Sequence, residues 1–352
     1  MKESNLTQTK NHGTEFWNDS CDFNELNHAV NEGATGATSN PVIVGAVLNK
    51  NLNHFQGLID ETIVTNPEKN EREVAWSIIE NVACQAAKIL EPVYSSNNGK
   101  TGKLCLQVNP LYYNNSKKMI DHGLKLAELA PNIAIKVPAT EAGINAMEEL
   151  TAQNVTVNAT VSFSVSQAIH TAEAIEKGLQ KAQANGFNTE TITPYITLMV
   201  GRIDDYIKRC QDKKMLDVDP GCFHWAGVAV FKNAYKIFKQ RGYKSKILAA
   251  AYRNHMHWDQ LIGNNLVLSM PYKWWNAFNS KTKNVTQTIE DHIPEKHLEQ
   301  LYDNFPEFRK IYDQDTMTAS KYSNLEPAIH TLLQFAGGLD QVCHIVRQNM
   351  LK

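Results

Sequence analysis

Residues 133–140 read IAIKVPAT. The run is short and apolar, and it reads as a buried strand. Side chains alternate along a strand, so Ile133, Ile135 and Val137 share one face and Ala134, Lys136 and Pro138 the other. A lysine hemmed in by apolar neighbours is costly to keep charged. Burial lowers its pKa, and a neutral amine is a nucleophile that forms a Schiff base with a ketone. A lysine near a strand end can also snorkel its ammonium into water. The surrounding chain has to decide between the two.

Working outward, strands and helices alternate on both sides of this stretch. KLCLQVNP (103–110), VTVNATV (155–161), ITPYITLMVG (192–201), KILAAAY (246–252) and NLVLSMP (265–271) read as further strands, with helical stretches between them. Upstream, FWNDS (16–20) reads as a strand, and a helix over 22–32 starts on an Asp22 N-cap and stops at Gly33. ATGATSNP (34–41) is extended, and residues 42–63 and 71–95 read as two long helices. About eight strands interleaved with helices predict an α/β fold, a (β/α)8 TIM barrel with additional helices, spanning 15–275. The alternative, a doubly wound sheet, lacks a Gly-rich phosphate loop or dinucleotide fingerprint here. Residues 276–352 carry no strand pattern and predict a helical C-terminal extension packed on the barrel, with Trp274 and Trp275 as anchors. Residues 1–14 predict a flexible N-terminal lead-in.

The 352 residues are 42% apolar with a formal net charge of −2. Without a long basic run, nucleic acid is not an expected partner. No apolar run is long enough to cross a bilayer, and MKESNLTQTKNHG lacks the apolar core of a signal peptide, so a cytoplasmic protein is expected. The six cysteines, Cys21, Cys84, Cys105, Cys210, Cys222 and Cys343, show no metal-ligand spacing and predict reduced thiols. Cys222 and His224 are two possible ligands, which do not make a set. No metal and no cofactor are expected. The C-terminal helices could cover the barrel or mediate homo-oligomerisation.

In 155–161 the apolar face Val155, Val157, Ala159 and Val161 suits packing on helices, so Thr156, Asn158 and Thr160 point into the barrel. The same alternation turns Gln107, Lys136, Thr193 and Tyr195 inward. A barrel filled for stability alone prefers branched apolar residues there. A lysine, amides and hydroxyls on neighbouring strands point instead to a site.

These residues carry a family resemblance. IAIKVPATEAGINAMEEL followed by VNATVSFSVSQA resembles the transaldolase family, and ATSNP, FWNDS, LCLQVNP, VGRIDD and AAYRN resemble its other segments, in family order from about residue 16 to 271. The resemblance implies sugar-phosphate substrates, as in the pentose phosphate pathway, and a lysine Schiff base. By it, Lys136 forms the imine with a ketose C2 carbonyl, and Asp19 exchanges the proton of the C4 hydroxyl. Thr160 and the third-strand residue Gln107 position a catalytic water. Asn40, Asn158 and Thr193 hold the dihydroxyacetone unit, and Arg202 and Arg253 bind a distal phosphate.

This chain departs from the family in places. The family has glutamate where Gln107 stands, and an amide cannot accept a proton from water. Its S-P-F segment is matched here to Thr193, Pro194 and Tyr195, leaving residues 196–199 as an insertion before VGR. Gln107 and Tyr195 resemble the fructose 6-phosphate aldolase branch, which releases free dihydroxyacetone. Ala251 stands where the family has a phosphate-binding serine. His255 and His257, close to Arg253, read as surface or packing residues rather than ligands. Three readings follow: a transferase moving a dihydroxyacetone unit, a lyase releasing it, or a barrel that binds sugar phosphates without chemistry.

Overall fold

The computed structural model describes residues 3–280 and 283–352. Eight parallel strands close into a barrel: β1 (Thr14–Asn18), β2 (Gly36–Thr38), β3 (Lys103–Gln107), β4 (Ile133–Pro138), β5 (Val157–Thr160), β6 (Tyr195–Leu198), β7 (Lys246–Ala249) and β8 (Leu266–Met270). Each pairs with the next, and β8 returns to β1. Gln107 sits beside Lys136, Lys136 beside Asn158, and Asn158 beside Tyr195. That line runs from the last residue of β3 to the first of β6, the stagger that barrel closure requires. The fold is the expected (β/α)8 barrel.

Local chemistry starts the helices where the barrel needs them. Asp22, Asn40, Thr140 and Ser164 follow β1, β2, β4 and β5, and each caps the next helix by accepting a backbone N–H. Ile135 and Val137 are fully buried on the outer face of β4. The inner face is layered. Trp17 and Tyr195 meet edge to face at 4.5 Å in mid-barrel, with Cys105, Ala134, Leu248 and Val267 around them. Below this floor Glu15 pairs with Lys246 and accepts a hydrogen bond from Thr35 (2.8 Å). Above it lies a polar chamber open toward the C-terminal ends of the strands.

One buried amide stitches that end together. Gln167 Nε2 donates to the carbonyls of Ala139 (3.1 Å) and Val161 (3.2 Å), and its Oε1 accepts from the Phe163 amide (2.9 Å). It ties the segment after β4 to the segment after β5, where Val161 holds a left-handed φ of 55°.

Three features differ from expectation. Residues 1–2 of the expected flexible lead-in lie outside the described residues, and the remainder is not loose: Asn5–Asn11 is a helix capped by Ser4. It is anchored by buried Leu6, by Asn5 Nδ2 on the Phe278 carbonyl (2.6 Å) and by Trp258 Nε1 on Thr9 (3.0 Å). Polar composition hid it, because its burial is won by single contacts rather than an apolar stripe. Residues 42–63 form two helices, Pro41–Lys50 and Leu52–Val64, broken at Asn51. The sixth strand begins only at Tyr195.

Beyond β8, Trp275 is fully buried and donates from Nε1 to Asn18 Oδ1 (3.0 Å), while Trp274 packs on Phe278. The helices Glu295–Asn304, Pro306–Tyr312 and Glu326–Met350 follow. Among the described residues no helix is long and apolar enough to cross a membrane. Replacing Gln167 with leucine keeps the volume but strands buried backbone groups. The unfolding free energy in urea should fall by about 2–4 kcal/mol, and an unchanged value would show the amide to be dispensable.

Candidate active site

The polar chamber is built from neighbouring strands. Lys136 projects inward from β4 and is only 5% exposed. Asp19 directly follows β1, its amide held on the Met270 carbonyl at 3.0 Å. Its carboxylate accepts a short hydrogen bond from Thr38, whose hydroxyl also meets Ser269 at 2.9 Å. On the other side, Asn158 accepts from the Thr197 hydroxyl (2.8 Å) and donates to Cys105 Sγ (3.1 Å). Gln107 Oε1 and Thr160 Oγ1 are buried without a protein partner. Two orphaned oxygens in one chamber suit a water or a substrate hydroxyl between them.

The electrostatics favour neutral groups. Burial pushes the Lys136 amine below the usual lysine range, outweighing the attraction of Asp19, and nearby Arg202 pushes it the same way. Burial likewise holds the Asp19 carboxyl above the usual range, against Lys136, the Thr38 hydrogen bond and Arg202. Burial also lifts the Cys105 thiol to about 11, so it stays protonated beside the amine. An amine held toward its neutral form near a carboxyl held toward its protonated form suits imine formation and proton exchange.

Arginines stand at the rim. Arg202, in the first turn of the helix Val200–Lys214, lies near enough to Asp19 to influence it, and burial first, then Arg253, lowers its pKa to about 10. Gly201 permits this placement, since a Cβ there would lie 1.9 Å from the Ala251 carbonyl oxygen. Arg253 is more exposed and paired with Asp205 at 2.8 Å. Its amide donates to His257 Nδ1 (3.1 Å), and fully buried His257 meets Asp204 through Nε2 at 2.8 Å. His257 therefore packs and positions, as its sequence context suggested, while His255 is exposed beside Asp259. Asn40 spends its Oδ1 on the Ile43 amide as a helix cap, leaving its Nδ2 for other contacts.

The structure brings Lys136, Asp19, Gln107, Asn158 and Thr160 together and separates two expected members. Thr193 precedes β6 at the opposite, N-terminal end, where the neighbouring Pro194 carbonyl accepts from Lys246. Tyr195 lies in the aromatic floor, fully buried against Trp17. The inward hydroxyl of β6 at the chamber is Thr197, three residues before Val200. Counted back from VGR, Thr197, Leu198 and Met199 take the place of S-P-F, so no insertion is needed. The cause of the misplacement is a local match, T-P-Y, that outweighed the spacing to Arg202. Alternation from Tyr195 already turns Thr197 inward. Thr38, Ser269 and Cys105 were also missed, since each carries an ordinary strand signal.

The family model described as Transaldolase/Fructose-6-phosphate aldolase matches residues 16–324. A "Transaldolase 1" of Streptomyces avermitilis is 25% identical over 301 aligned residues, covering 78% of this chain and 79% of its own. A "Transaldolase" of Trichodesmium erythraeum is 26% identical over 307, covering 77% and 80%. A "Transaldolase 2" of Streptomyces avermitilis is 29% identical over 208, where the match spans 53% of this chain and 56% of that one.

Asp19 raises the Lys136 pKa while burial lowers it. Asp19→Asn should therefore move the pH midpoint for acylation of Lys136 downward. A midpoint that stays or rises would mean that the two groups do not interact.

Proposed function

Because this chain belongs to the transaldolase/fructose-6-phosphate aldolase family, we propose that it transfers a dihydroxyacetone unit from a ketose phosphate to an aldose phosphate through a Schiff base on Lys136. The observation that carries this reading is the enclosed Lys136 amine, held toward its neutral form beside Asp19. The amine adds to the ketose C2 carbonyl, loss of water gives the imine, and uptake of a proton from solvent makes it the iminium. Asp19 takes the proton of the C4 hydroxyl. The C3–C4 bond breaks, its electron pair moves into the iminium to give an enamine, and the aldose leaves. The enamine carbon then bonds to the carbonyl carbon of an acceptor aldehyde, whose oxygen takes the proton from Asp19 as the iminium re-forms. Hydrolysis of the new iminium frees the ketose product.

The remaining residues fit supporting roles. Thr38, backed by Ser269, orients the Asp19 carboxyl. Asn158 and Thr197 offer hydrogen bonds to the dihydroxyacetone hydroxyls, and Asn40 its Nδ2. Gln107 and Thr160 hold the water that adds to and leaves the C2 centre; Gln107 orients this water without taking its proton. Arg202 and Arg253 face the distal phosphate, whose planar guanidinium partners suit multidentate contact.

Gln107 favours a second reading, in which the enamine is released to water as free dihydroxyacetone. Tyr195 lends it no support from its place in the floor. Incubation with ketose phosphate and no acceptor separates the two: product formation that depends on added aldehyde is the transferase, and sustained dihydroxyacetone release is the lyase.

Borohydride added with a ketose phosphate should fix a mass adduct on Lys136, absent in Lys136→Met. No adduct with any ketose donor would leave a barrel that binds without chemistry. Asp19→Ala should still form the adduct but lower kcat by about 10²–10⁴, the usual worth of a general acid–base group.

A further inference from the structure

The helix Glu326–Met350 runs along the C-terminal end of the barrel. Near its start, Glu326 pairs with Arg209 and Lys213, each at 3.0 Å, on the helix that carries Arg202. Further on, Gly338 lies against the first turn after Asn40, where a Cβ would stand 2.6 Å from the Val42 amide nitrogen. Near its end, Arg347 pairs with Glu71. The helix thus bridges the β6 and β2 sides of the opening and is fixed at several points.

Between these anchors it touches Arg202. Arg202 Nη1 donates to Thr331 Oγ1 at 3.1 Å, and Phe335 lies with its ring centre 6.0 Å from the guanidinium carbon. Thr331 is fully buried, and its hydroxyl hydrogen goes to the Pro327 carbonyl at 2.7 Å. The lone pairs on Oγ1 are therefore left to face the guanidinium. Arg202 Nε has no protein partner, although it is buried. Arg253 is different: Nε and Nη2 are engaged by Asp205, and Nη1 donates to the Tyr252 (3.0 Å) and Ala251 (3.2 Å) carbonyls. Arg202 therefore keeps most of its donors without a protein partner, while Arg253 keeps only one Nη2 hydrogen, and the orientation of Arg202 is set from the C-terminal helix.

We infer that Thr331 and Phe335 are positioning residues that hold Arg202 as the main recognition group for the phosphate of the substrate, so that the C-terminal helix sets the preference for phosphorylated over uncharged sugars. This rests on the proposed sugar chemistry for its substrate class, but the anion site can be tested without catalysis. Thr331 gives the guanidinium one fixed acceptor, and Phe335 gives it a flat surface, which together spare it the entropy of being ordered by the ligand. Ala251, where a serine hydroxyl is expected, leaves Arg202 with a larger share of the work.

Inorganic phosphate is the probe, titrated into the full-length protein by calorimetry. Thr331→Val, which keeps the shape, should weaken phosphate binding about tenfold, and Thr331→Ser should restore it. In steady state, KM for a phosphorylated ketose should rise by a similar factor with kcat held within about twofold, and the KM of its unphosphorylated counterpart should not follow. Phe335→Leu should act in the same direction. Phosphate affinity unmoved by Thr331→Val would overturn the inference, and so would equal loss for charged and uncharged donors. A missing Lys136 adduct would sink the sugar chemistry instead, and the phosphate titration would still decide this point.

Discussion

Lys136 carries its amine into the upper chamber of the barrel, and Asp19 lies close enough that each alters the proton affinity of the other. An ammonium in such a place loses its hydration without a full exchange of partners, so the neutral amine gains ground. That balance depends on enclosure by the walls and the floor of the barrel. The closed strand ring supplies the walls, and the Trp17–Tyr195 contact closes the chamber from below. Without a floor, water entering from the N-terminal end would restore an ordinary lysine.

Enclosure also creates obligations. Each polar group brought into the chamber needs a partner or a role. Asn158 is satisfied by Thr197 and Cys105, and Asp19 by Thr38. Gln107 and Thr160 keep unpaired oxygens, and Val161 holds a strained backbone beside them. The floor is not fully satisfied either, since the Tyr195 hydroxyl is buried without a protein partner. Residues outside the chamber then hold it in shape: Gln167 joins the ends of β4 and β5, and the C-terminal helix steadies Arg202.

Much of this was legible from pattern alone. A period of two on β4 and β5 put Lys136, Asn158 and Thr160 on one face, and the backbone allows no other outcome once those strands pair. The N-cap at Asp22 marked the exit from the first strand into its helix, because a side-chain oxygen satisfies a free amide locally. The difficulties arose where depth mattered. Thr193 and Tyr195 have the same parity as Thr197, so alternation cannot say which hydroxyl reaches the chamber. The spacing back from VGR and the stagger of closure do, and the stagger puts Tyr195 beside Asn158 near the base of β6. The helix Asn5–Asn11 was hidden for a related reason, since its anchors, Phe278 and Trp258, lie about 250 residues or more away in sequence.

By itself the sequence determined what local physics can encode: the alternation of strand and helix, the inward face of each strand, and the presence of a lysine, a carboxylate and amides suited to carbonyl chemistry. Tertiary structure decided the rest. It set how deep each inward residue sits, which oxygens stay unpaired, and that a helix from the far end of the chain meets Arg202. Those properties arise from barrel shear and from contacts between distant segments, and no window of neighbouring residues contains them.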